Sequence, residues 1–162
     1  MGEFLMSNAA LALDQDELQA AQGDAARSAA NQFVTFNVGA NAYGVDIMSV
    51  REIRSWTPTT DLPDQGYGAC GVLDIRGSIV EVFDLSVVLG SGARNENRAG
   101  QVVLVVAMGD RDVGLAVDSV SDIVDAEPGD FADPPAKGGK VAAIVRQNEQ
   151  LISILDLTVL FS

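Results

Sequence analysis

The chain has 162 residues, of which ten are basic and twenty-three acidic, giving a net charge of −13, and none is histidine. A chain of this length hides roughly 70% of its unfolded surface on folding, so one domain, or two small lobes around a shared core, stands without a metal or a disulfide, which the lone Cys70 cannot form internally. The acidic balance argues against nucleic acid and anionic membrane as partners, while the lack of histidine removes the commonest general base and metal ligand and leaves no set for a structural zinc site.

Residues 1–31 form an N-terminal extension. Met1 to Phe4 read as a cloning scar, with Leu5 the last residue before a natural start at Met6. The Ala-rich stretch that follows predicts a helix capped by Ser7 or Asn8, with Leu11 and Leu18 seven apart and Gly23 as its end. A short Ala-rich helix is marginal alone, so a solvated helical or disordered tail is expected, with partner docking or dimerisation as the alternative. The opening lacks the basic stretch and continuous apolar core of a secretory signal, and no apolar run approaches the roughly 20 residues that span a membrane. A single cysteine fits a reducing compartment, and the expected location is the cytoplasm.

From Gln32 onward the chain is all-β in character. It holds 28 Val and Ile against 14 Leu, and no Val or Ile precedes Val34; branching at Cβ suits a pleated, half-buried surface. Val34, Phe36 and Val38 alternate with Thr35 and Asn37, Gly39 to Asn41 supplies a turn, and Tyr43 to Asp46 returns. Arg76-Gly77-Ser78 reads as the tip of a hairpin between Gly71–Ile75 and Ile79–Phe83. Gly90 to Gly100 is a polar, glycine-rich connector. Val102 to Ala107 is a continuous apolar run that predicts a strand covered on both faces, and Leu151 to Leu155 is another strand.

The chain also repeats itself across the connector. Gly39, Gly44, Ser49, Val50 and Ile53 recur at a spacing of 70 as Gly109, Gly114, Ser119, Val120 and Ile123, and Ile79-Val-Glu-Val-Phe-Asp-Leu85 resembles Leu151-Ile-Ser-Ile-Leu-Asp-Leu157 at a spacing of 72. The pseudo-repeat halves are about 32–90 and 101–162. Five short strands in some 60 residues are the size of a small closed barrel, so each half is expected to form one barrel, the two lying side by side. Asp84 and Asp156 are expected to cap the turns after their strands.

Candidate chemistry is scarce. An aspartic protease needs paired Asp-Thr/Ser-Gly turns, but Asp118-Ser119-Val120 lacks the glycine and its counterpart is Met48-Ser49-Val50. Asp122, Asp125, Glu127, Asp130 and Asp133 lack calcium-loop spacing and read as a solvated acidic loop. No phosphate-binding glycine motif is present, and Lys137 and Lys140 read as a flexible loop. No catalytic residue, metal site or cofactor is expected, and function falls to surfaces. Arg76 offers a planar donor at a hairpin tip where the second half has neutral Asn148. Val50 and Ile53 are expected in the core, and Trp56 fits either a core plug or an interface anchor.

Phe33-Val-x-Phe-x-Val-Gly, Tyr43-Gly-Val-Asp-Ile, Val50-Arg-Glu-Ile53, Gly71-Val-x-x-Ile-Arg-Gly77, Ile79-Val-x-Val-Phe-Asp-Leu85 and Val113-Gly-Leu-x-Val-Asp118 occur in this order. Together they resemble CheW, the coupling protein family of bacterial chemotaxis, over residues 32 to 162. The resemblance implies two five-stranded SH3-like barrels sharing a core. It implies a non-catalytic adaptor that binds the cytoplasmic tips of chemoreceptors and the regulatory domain of the histidine kinase CheA, recruited to membrane-associated arrays without inserting in the membrane. It places Arg76, Val50 and Glu52 in receptor binding and Gly71 in a kinase-facing strand. Asp74 stands where the family often has Asn, Glu81 and Gly66 stand where it has Pro, and Ala143 where it has Gly. The arrangement also occurs within CheA and CheV, but no receiver or ATP-binding region accompanies it here, which favours a free-standing adaptor. A similar module serving surface motility or development is the alternative.

Overall fold

A computed structural model describes residues 13–27, 31–63, 66–90, 100–135 and 138–161. The expected helix caps at Ser7 and Asn8, Leu11, most of the connector and Lys137 lie outside these residues. Among the described residues one helix, α1 (Gln15–Arg27), precedes eleven strands: β1 (Asn31–Val38), β2 (Asn41–Asp46), β3 (Val50–Ser55), β4 (Ala69–Ile75), β5 (Ser78–Asp84), β6 (Val102–Met108), β7 (Arg111–Val117), β8 (Ser119–Ala126), β9 (Phe131–Ala132), β10 (Val141–Gln147) and β11 (Gln150–Leu155). Two single-turn helices, α2 (Leu85–Val88) and α3 (Leu157–Leu160), follow β5 and β11. Both are capped as expected: Asp84 Oδ1 accepts from Ser86 N at 3.1 Å, and Asp156 Oδ1 from Thr158 N at 3.0 Å and Val159 N at 3.2 Å.

The strands form two sheets, ordered β3-β6-β7-β5-β4 and β8-β1-β2-β11-β10-β9. The repeat is therefore real, but the two halves do not each close their own barrel. By repeat position β1 and β2 correspond to β6 and β7, and each half lends this leading hairpin to the other half's sheet. The exchange is sealed by the two parallel pairings, β5 on β7 and β11 on β2. The repeat glycines sit at these two seams. A Cβ on Gly114 would lie 3.0 Å from Val103 Cγ1 and 3.1 Å from Val82 Cγ2, and one on Gly44 would lie 2.9 Å from Ile154 Cδ1.

Sheet alternation then makes three apolar layers. Val103 and Val105 of β6 face the first lobe's interior with Leu73, Ile75, Val80, Val82 and Ala116. Val102, Leu104 and Val106 face the other way, into a core shared by both sheets with Val34, Phe36, Val45, Val113, Leu115, Leu85 and Leu160. All five residues from Val102 to Val106 are at most 2% exposed, as their unbroken apolar run predicts. The second lobe encloses Phe33, Val124, Val145, Ile152 and Ile154.

Three loop expectations change. Lys140 donates from Nζ to the Val88 carbonyl at 2.8 Å, tying its loop to the first half. Asp122 and Asp125 belong to β8, and Glu127 and Asp130 form a capping box around a 3-10 turn, so the acidic stretch is ordered by its own carboxylates. The N-terminal helix is not a solvated tail. Leu13 is 2% and Leu18 0% exposed within the shared core. Asp14 caps α1 through Glu17 N at 2.8 Å, and α1 runs past Gly23, around which nothing lies within 4 Å.

Candidate docking site

The Arg76-Gly77 tip joins β4 to β5 with both residues at positive φ, 53° and 87°. This is the backbone pattern of a two-residue type I′ hairpin turn, which favours Asn or Gly at its first position. The second half follows that preference, with Asn148 at 51° before Glu149 at 65°. Arg76 does not, so its backbone carries strain that a side chain suited to the turn would relieve. Asp74 Oδ1 accepts from Gly77 N at 2.9 Å, a bond the family's usual Asn would also make.

The arginine reaches across the mouth of the first lobe. Its Nη1 lies 2.7 Å from Glu52 Oε1 on β3, the opposite edge of the same sheet. Arg76 has 80% of its side-chain area accessible and Glu52 only 13%, and Arg54 Nη1 holds the other carboxylate oxygen at 3.4 Å. A mostly covered carboxylate thus anchors an exposed guanidinium whose remaining donors face outward. The fold brings Glu52 and Arg76 together from positions 24 residues apart in sequence.

Val50 lies elsewhere. Its side chain is 2% exposed in the shared core, as is Ile53 at 6%. Strict alternation would send one of these two outward; a bulge between Val50 and Glu52 inserts Arg51 and turns both inward. The same device recurs in β8, where the register against β1 shifts between Asp122 and Val120. With the N-terminal helix docked, any contact Val50 offers a partner is through its backbone.

Gly71, on β4, has φ +135°, and a Cβ there would sit 2.7 Å from Thr59 Oγ1 and the Thr60 carbonyl. Thr60 and Val72 exchange backbone bonds at 2.9 and 2.8 Å, closing the lobe over this glycine. Beside it a groove of about 590 Å³ is lined by Leu62, Pro63, Val72, Ile79, Glu81 and Arg111. Leu62 is 48% and Ile79 65% exposed at its rim, and Glu81 meets Arg111 at 3.6 Å. Sequence reasoning placed Ile79 in a strand without noting its outward face; its position directly after the tip was the available signal. Trp56 packs half-buried against the first lobe's interior. Among the described residues no group of three or more Cys, Asp or Glu side chains gathers as metal ligands, and no helix is long and apolar enough to cross a membrane.

Two interlocked β lobes, one of five strands and one of six, with an arginine-tipped hairpin and no gathered set of metal-ligating side chains among the described residues, define a β module whose distinctive features lie on its surface. Residues 32–162 match the family model of the CheW-like domain. The chain is 38% identical over 104 residues to the chemotaxis protein CheW of Rhizobium meliloti, covering 64% of this chain and 66% of that one. It is 32% identical over 136 residues to a probable chemotaxis protein CheW of Rhizobium etli, covering 81% and 87%. The solved structure of the scaffolding protein TtCheW from Thermoanaerobacter tengcongensis superposes with a TM-score of 0.75 at 26% identity, over 82% of this chain and 93% of that one. The chain belongs to the CheW family.

Proposed function

We propose that the chain is a non-catalytic adaptor linking chemoreceptor tips to the regulatory domain of the histidine kinase CheA, working in the cytoplasm at receptor arrays. The observation that carries this reading is Arg76: an exposed guanidinium, kept on a strained turn and aimed by Glu52, at the position the resemblance ties to receptor coupling. Exposed planar donors of this kind bond a partner's carboxylates and backbone carbonyls. The kinase then takes the β4 side, where buried Gly71 allows the Thr60–Val72 bridge to close and the groove rimmed by Leu62 and Ile79 offers exposed apolar side chains among the charges of Glu81, Asp110, Arg111 and Asp112. With the receptor at the hairpin tip and the kinase at the groove that adjoins it, the adaptor transmits coupling free energy and performs no reaction.

The test is titration of the full chain against a receptor cytoplasmic fragment and, separately, the CheA regulatory domain. Both are expected to bind. Arg76→Glu is expected to weaken the receptor fragment by tenfold or more, on the order of 1.4 kcal/mol, with kinase binding and the far-UV spectrum unchanged. Failure to bind either partner refutes the reading.

A further inference from the structure

Strand β3 is an edge of its sheet, so its outer backbone groups have no neighbouring strand. Helix α1 supplies the missing partner with side chains. Gln15 Oε1 accepts from Ile53 N at 3.0 Å while Gln15 Nε2 donates to the Arg51 carbonyl at 3.3 Å. One carboxamide thus makes the donor–acceptor pair that an adjacent strand would make, across the residue that carries the anchoring carboxylate, Glu52. Gln22, two turns on, donates from Nε2 to the Ile47 carbonyl at 2.9 Å and the Val50 carbonyl at 2.6 Å. Leu18 and Ala21 lie between them on the same face, Leu18 fully buried, while Asp16, Glu17, Gln19, Ala20 and Gly23 face solvent. The seat beneath is apolar, made of Ile47, Val50 and Ile53.

This is a helix-docking cleft with a helix already in it. We infer that α1 is a built-in competitor for a receptor helix at the β3 surface that carries Val50 and Glu52, and that receptor docking displaces it. The inference rests on the adaptor reading above. The seat fits a partner helix that offers what α1 offers: an apolar side chain flanked by hydrogen-bonding groups one or two turns away. Val50, covered while α1 is docked, enters recognition through its place in that seat and through the carbonyl that Gln22 now holds. Two amides and two leucines make a hold that a competing helix can replace bond for bond, and the fraction of chains with α1 undocked sets the apparent affinity.

The test uses the full chain. The double substitution Gln15→Ala/Gln22→Ala removes the amide bonds and leaves Leu13 and Leu18 to cover the core, so the lobes stay folded. The receptor fragment is expected to bind this variant at least tenfold more tightly, because four hydrogen bonds that hold α1 are lost, with CheA regulatory-domain affinity unchanged. Unchanged or weaker receptor binding by the variant overturns the inference while leaving the adaptor reading intact. Absence of receptor binding by both wild type and variant overturns both. Hydrogen exchange on the wild-type chain gives an independent readout. Saturation with receptor fragment is expected to deprotect the amides of residues 18–27; protection that holds or increases contradicts displacement.

Discussion

Gly71 is the position where sequence resemblance and structure assign different jobs, and Gly71→Ala separates them. The substitution places an L residue at φ +135°, a conformation that costs about 1–3 kcal/mol. It also drives a methyl group to 2.7 Å from Thr59 Oγ1 and the Thr60 carbonyl. The Thr60 carbonyl accepts from Val72 N at 2.8 Å, so relief of the clash pushes apart the bridge that closes the lobe. Two bonds at about 0.5–1.5 kcal/mol each are then put at risk, for a total of roughly 2–6 kcal/mol. Urea unfolding followed by the fluorescence of Trp56, the single tryptophan, reports the loss from within the affected lobe. Gly77→Ala is the control. Its φ is +87° but nothing lies within 4 Å, so only the conformational part remains, about 1–2 kcal/mol. Kinase binding by Gly71→Ala is expected to fall only in proportion to the unfolded fraction. A loss of stability under 1 kcal/mol, or a folded variant that fails to bind kinase, refutes the closure argument.

Arg76→Asn relieves the turn, and a midpoint shift in urea equal to a gain of about 0.5 kcal/mol is expected together with weaker receptor-fragment binding; a loss of stability would show that the Glu52 pair outweighs the strain. Asp156→Ala removes two backbone caps from α3 and is expected to cost about 1 kcal/mol in the same assay. Gly114→Ala meets two branched valine methyls and is expected to cost about 1–3 kcal/mol. Gly44→Ala clashes with the far end of Ile154 at 2.9 Å and meets Ile152 Cγ2 and the Val34 carbonyl only at ordinary contact distance, so it should cost less, and equal thermal midpoints for the two would contradict the packing at the seams.

The sequence carried the period of the structure but not its pairing. Recurrence of Gly39, Gly44, Val50 and Ile53 at a spacing of 70 implies two equal lobes, because each residue has a local reason to recur in a turn, a seam or a bulge. Which hairpin joins which sheet is settled by long-range parallel pairing, β5 on β7 and β11 on β2, and no local pattern encodes that. The Asp84 and Asp156 caps were legible because a cap bonds within three residues. The Glu52–Arg76 pair was not, since it depends on curling a sheet until its two edges meet. The docking of α1 was hidden for a further reason: its hold relies on Gln15 and Gln22, whose amides look like ordinary solvent-facing polar residues until an unpaired strand edge is placed beside them.

The two docking faces give the adaptor its logic. Arg76 and Glu52 sit at one mouth of the first lobe, whereas Leu62 and Ile79 rim a groove beside β4. Both belong to one sheet, whose inner strand β6 is buried on both faces, so under the proposed function a shift imposed by one partner would reach the other through packed side chains.

The central claim is tested most directly by reconstituting receptor-bearing vesicles, CheA and this chain, and measuring CheA phosphorylation by ATP with and without receptor ligand. Kinase activity is expected to respond to the ligand only when the chain is present, and the response is expected to vanish with Arg76→Glu. A ligand response that is the same in the absence of the chain, or absent with the folded wild-type protein, contradicts the account.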